Sequence, residues 1–227
     1  MERSRADLMP LAQKPGSWQR DVAKALLSAL QEASTASAPG SDSASSQPGA
    51  PAGSQAGGAE PSPAPTAWRV APVDIAEVSR RLAPAASMAP LYLRCLTHYR
   101  DDLRPQDVDT DDAGVALACM LGASLQALEA HAVTPARWSM LTTWLARNVL
   151  PAVDWARAST PEQQQFFARM ALLSVALGEW SLEASKRGAA AQATARLMAK
   201  QHLEVEFGLE PELLLKAMRW LDVIPAT

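Results

Sequence analysis

The chain has 227 residues, a formal net charge of −3 and two cysteines. Its 21 basic and 24 acidic residues are interspersed, which leaves no basic footprint for nucleic acid. Cys95 and Cys119 lie in separate apolar patterns, so a zinc motif and a Cys-x-x-Cys redox pair are excluded, while a pair of buried thiols and a Cys95–Cys119 disulfide both stay open.

The N-terminus, MERSRADLMPLAQKPGSWQRDVAKALL, carries charges throughout and lacks the uncharged apolar run of about 7–15 residues that a signal peptide needs. The expectation is a cytoplasmic protein, with export by a leaderless route as the alternative. From Ser17, a plausible N-cap, Trp18, Val22, Ala25, Leu26, Ala29, Leu30 and Ala33 recur at steps of three and four, which predicts an amphipathic helix over 17–34 within an N-terminal segment 1–34. Residues 35–66 follow, 32 positions of which 26 are Ala, Ser, Pro or Gly. Such a stretch cannot bury enough apolar surface to offset its ordering entropy, so it is expected to be a disordered linker with an end-to-end distance of about 30 Å. The remaining block, 67–227, is large enough to form one hydrophobic core without metal or disulfide staples.

Within that block the pattern is helical throughout. Pro72 to Leu82 and Ser87 to Asp102 read as the first two helices, the second carrying a stripe of Leu91, Cys95, Leu96 and Tyr99. Asp109 or Thr110 should cap the next, with Asp111 and Asp112 in its first turn where the helix dipole favours negative charge. Asp107, Asp109 and Asp111 also match the opening of a calcium loop, but Asp112 and Ala118 stand where that motif requires Gly and Glu. The alanine-rich run 113–128 is too short to span a membrane and reads as a buried central helix. In it Gly114, Ala118 and Gly122 repeat every four residues, so a neighbouring helix can approach closely. Thr134-Pro135 opens the following helix and Pro151 ends or kinks it. Thr160-Pro161-Glu162-Gln163 supplies a cap, a first-turn proline and a capping-box glutamine for a long helix reaching about Lys186. Gly208 should close the helix over 190–206, and Pro211 opens a last one. No window alternates as a strand does. The fold class is all-α: one compact six- to seven-helix domain, a linker and a tethered N-terminal helix.

Residues that could carry chemistry are sparse. His98, His131 and His202 have no second ligand at metal spacing; His202 and Glu206, four apart, read as a solvated hydrogen bond. Gly122-Ala-Ser124 lacks the closing Gly and the strand-turn-helix context of a nucleophile elbow. Tryptophan is abundant instead: seven Trp against two Tyr and three Phe. Trp138 and Trp180 fall on or beside apolar stripes and read as core. Trp144 and Trp155 sit off the Leu141-Leu145-Val149 stripe and flank Pro151, which marks them as a docking hot spot if exposed.

The order of features from Asp109 to Met218 carries a resemblance. DVDTDDAGVALACMLGASLQAL, a tryptophan-bearing helix, TPEQQQFFARMALLSVALGEWSLEAS and GLEPELLLKAM together resemble an uncharacterised bacterial family of small all-helical proteins catalogued as domain of unknown function 6683. The resemblance implies an all-helical fold and brings no catalytic residue with it; members of that family look exported.

The function expected from these observations is a non-enzymatic helical protein-interaction module, an accessory, adaptor or secretion-related protein. Its partner-binding residues are Trp18, Val22, Leu26, Leu30, Trp144 and Trp155, and the helix over 17–34 docks either on a protein partner or back on its own domain. No catalytic residue, metal or cofactor is expected, and neither nucleic acid nor a transmembrane segment. The alternative is a binder of a small apolar ligand in a pocket lined by Trp144, Trp155 and Met170.

Overall fold

The computed structural model describes residues 17–36, 68–106 and 108–221. They form eight α-helices: α1 (Ser17–Ala36), α2 (Ile75–Leu82), α3 (Ala89–Leu103), α4 (Ala113–Glu129), α5 (Pro135–Asn148), α6 (Thr160–Arg187), α7 (Ala189–Phe207) and α8 (Pro211–Leu221). Short 3-10 turns precede and follow α3 and link α5 to α6. Among the described residues there is no strand, only an isolated antiparallel bridge between Arg69 and Asp112. The linker expected over 35–66 lies outside the described residues, apart from Thr35 and Ala36, which belong to α1.

Capping chemistry sets most of the boundaries, in places one step away from the sequence expectation. Asp74 accepts from the N–H groups of Ala76 and Glu77, so α2 starts at Ile75 and not at Pro72. Asp112, not Asp109 or Thr110, caps α4, its Oδ1 accepting from Gly114 N at 2.7 Å and Val115 N at 2.9 Å. The other acids are used elsewhere, Asp109 against Arg69 and Asp111 against Arg100, because each faces a different neighbouring segment. Thr134 caps α5 as expected. At α6 the capping box sits one residue earlier than read. Ser159 is the N-cap and Glu162 the reciprocal partner, since the Glu162 carboxylate reaches both the N–H and the hydroxyl of Ser159. The α6–α7 hairpin turns on Gly188 and α7 ends on Gly208, both at positive φ (91° and 62°), where a Cβ is costly.

Two small residues of α4 let large ones in. A Cβ on Gly122 would stand 3.5 Å from the Trp138 ring of α5, and one on Gly114 would meet Leu150 at 2.9 Å. The close approach read from the four-residue spacing is tight at Gly114, where the neighbour is the 3-10 turn at Leu150, and an ordinary van der Waals contact at Gly122; α4 is buried on nearly every side. Around α4 pack α5, α6 and α7, with α2 and α3 laid against α6. No described helix is long and apolar enough to cross a membrane. At 28 residues and 1.5 Å per residue, α6 runs for about 42 Å. It serves the main core with its first half and a smaller cluster, Leu177, Ala184, Ala195, Met198 and Ala199, with its second. Cys95 and Cys119 are free thiols. Burial pushes Cys95 up to about 11 and Cys119 to about 12, although a hydrogen bond from Tyr99 opposes the shift at Cys119.

Candidate functional site: the seat of the first helix

Helix α1 lies on α5, α7 and α8. Its stripe of Trp18, Val22, Leu26, Ala29, Leu30 and Ala33 is buried in the main core. Of the two destinations open to this helix, the structure shows its own domain. Trp18, Val22, Leu26 and Leu30 are thus interior residues here, with the helix in the second of its two expected places. The physical reason is that an apolar stripe of this length is buried against whatever groove its tether allows it to reach.

The first turn of α1 meets the seat in two ways. Trp18 enters an aromatic box. Its ring lies edge-on to Trp68 (5.5 Å between centroids), Trp155 (4.7 Å) and Phe166 (4.9 Å), while Trp68 and Trp155 stack in parallel at 5.0 Å. Trp68 is placed by a short extended segment in which its carbonyl accepts from Ala113 N and Val70 N donates to the Asp111 carbonyl. Trp155 sits on a 3-10 turn beyond Pro151, its indole N–H donating to the Arg69 carbonyl at 3.2 Å. The indole N–H groups of Trp18 and Trp68 are buried with no hydrogen-bond partner among the described residues, so dispersion and ring geometry hold this box together. Three of the seven tryptophans are answered here: Trp18, Trp68 and Trp155 form one cluster, while Trp138 and Trp180 are half-buried at the core edges.

The neighbouring residue carries the polar half. Gln19 Nε2 donates to Glu206 Oε2 at 2.6 Å, and Arg169 grips the same carboxylate in a fork, Nε to Oε2 and Nη2 to Oε1, both at 2.6 Å. The side chains of Arg169 and Glu206 are 3% and 1% exposed. His202, one turn before Glu206 on α7, is buried as well. Its pKa is lowered, first by burial and then by Arg169, with Glu206 pulling the other way. The solvated His202–Glu206 pair read from the sequence is therefore corrected, because this face of α7 is covered by α1 and α6.

Trp144, on the buried face of α5, and Trp155 are 6% and 9% exposed, so the exposure that a docking pair requires is not met; Trp155 is held inward by its indole hydrogen bond to the Arg69 carbonyl. Met170 is fully buried. A surface depression of about 460 Å³ lies over the seat, bounded by Trp18, Asp21, Lys24, Ala25, Ala152, Val153, Asp154 and Arg157. Neither Trp144, Trp155 nor Met170 lines it. The Arg169–Glu206–Gln19 group went unread because its members are 37 and 187 positions apart. One signal was there: Arg169 is a lone charge inside the apolar run FFARMALLSVAL, and such a charge is tolerated in a core only with a partner.

No family model, curated protein or solved structure matches the chain.

Proposed function

We propose that the chain is a non-enzymatic helical protein-interaction module, and that the seat of α1 is its binding site. The observation that carries this reading is that α1 reaches the rest of the described structure only through residues 37–67, yet fills a groove built by later helices with a stripe of apolar anchors. That is the arrangement in which an amphipathic helix is recognised by a protein groove. In this reading α1 is the resident occupant, and a helix of a partner protein takes its place when α1 lifts away. The connector keeps α1 at a high effective concentration, which sets the affinity a competitor must exceed. The resemblance of residues 109–218 to the all-helical family named above is compatible with such a role and adds no chemistry to it.

Native-state hydrogen exchange tests the reading. Amides of α1 should exchange through an opening whose free energy is well below that of amides in α4 and α6. If α1 amides exchange only together with α4, in global unfolding, α1 is an ordinary core helix and the proposal fails.

A further inference from the structure

Lifting α1 would uncover two features of the seat, the aromatic walls of Trp68, Trp155 and Phe166 and the carboxylate of Glu206. Glu206 stands one residue before the end of α7, where the C-terminal carbonyls make an acid unfavourable. The needs of α7 alone do not account for it. Arg169 neutralises the charge with its fork and leaves one acceptor direction on Oε2, which Gln19 fills with a donor that brings no charge. His202, the neighbouring titratable group on the same helix, is held toward its neutral form by burial. Beneath the first turn of α1 there is, in sum, a neutralised ion pair whose carboxylate Oε2, at 2.6 Å, and backbone carbonyl, at 3.4 Å, both accept from the Gln19 amide.

We infer that the seat selects its occupant by this carboxylate: the partner is an amphipathic helix whose first turn carries an aromatic residue followed directly by a neutral amide, with apolar residues four, eight and twelve positions after the aromatic. The inference rests on the exchange of α1 proposed above and names the chemistry of what exchanges with it. Trp18, Gln19, Val22, Leu26 and Leu30 are the pattern as α1 presents it. The apolar anchors fit any hydrophobic groove, but the amide fits this one. An acid in its place sets two carboxylates against one guanidinium, a lysine adds a second buried cation beside Arg169, and an alanine leaves a buried acceptor unsatisfied.

The test uses the full chain with a protease recognition sequence inserted between residues 50 and 51, folded and then cleaved. A fluorescent synthetic peptide of residues 17–36 competes with the resident helix, read by anisotropy. The unmodified peptide should bind, the Gln19→Ala peptide about tenfold or more weakly, as for loss of a hydrogen bond to a charged group, and the Gln19→Glu peptide weaker still. A Leu30→Ala peptide must also lose affinity. Equal binding of the three position-19 peptides overturns the selection by Glu206 and leaves the exchange reading standing. Failure of the unmodified peptide to exchange below the denaturant concentration that unfolds the domain, or undiminished binding of the Leu30→Ala peptide, overturns both.

Discussion

The buried Arg169–Glu206 pair permits a double-substitution cycle with outcomes of opposite character. Arg169→Met removes both arms of the fork from the Glu206 carboxylate, which is 1% exposed; Glu206→Leu takes from the guanidinium the carboxylate it grips. Breaking a buried pair from one side costs about 3–5 kcal/mol, a large share of the 5–15 kcal/mol that holds a domain of this kind together. The double variant Arg169→Met/Glu206→Leu replaces the pair by apolar groups of similar volume, which is close to neutral. One debt remains, since the Gln19 amide loses its carboxylate acceptor and keeps the longer bond to the carbonyl of residue 206, 3.4 Å, a loss of up to about 1–3 kcal/mol for a buried donor. The double variant should accordingly sit within about 3 kcal/mol of the native chain, well above either single one. Urea unfolding followed by tryptophan emission measures all four species, and constant m values would license the comparison. Single variants that each cost less than about 1 kcal/mol would mean that the pair is solvated, and a double variant as damaged as the sum of the singles would mean that the two side chains do not interact.

Other outcomes follow from local chemistry. Ser159→Ala should lower stability by about 1 kcal/mol by removing the N-cap of α6, while Thr160→Ala, one residue inside the helix, should change it by less than about 0.5 kcal/mol; the reverse order in thermal melts would place the cap on Thr160. His202 has a lowered pKa, so the unfolded chain takes up its proton first, and the neutral residue's contribution to stability, complete above about pH 6.5, is lost as pH falls, with a slope of at most about 1.4 kcal/mol per pH unit. His202→Gln should flatten that part of the stability curve, and an unchanged slope would assign it to another group. Cys95 and Cys119, pushed up to about 11 and about 12 by burial, should resist maleimide at pH 8 in the native chain and react once it is unfolded; rapid labelling under native conditions would contradict their burial.

Local signals in the sequence carried most of the helix plan, because caps, prolines and three-to-four periodicity act within a few residues. Thr134-Pro135, Pro151, Gly188, Gly208 and Pro211 each mark a boundary or turn of a helix in the structure. Where two capping residues adjoin, as at Ser159-Thr160 and among Asp109, Asp111 and Asp112, the choice depends on contacts from elsewhere in the chain, and the reading slipped by one to three positions. The seat was legible by half. The stripe of α1 was visible as an apolar face, but its destination was not, since periodicity names a face and not its partner. Nor does any local rule connect Gln19 to Glu206 or bring Trp68 against Trp155.

The wiring of α1 also fixes an order of events during synthesis. Gln19 and its acceptor Glu206 are 187 residues apart, and at about 5–20 residues per second a ribosome needs about 10–40 s to go from one to the other. Throughout that interval the nascent chain displays Trp18, Val22, Leu26 and Leu30 with α7 and α8, which receive them, still unmade. The first of the described helices therefore waits for the last of them before it can take its place. Apolar surface left exposed for that long is open to association with other chains, a consequence of having the occupant precede its seat.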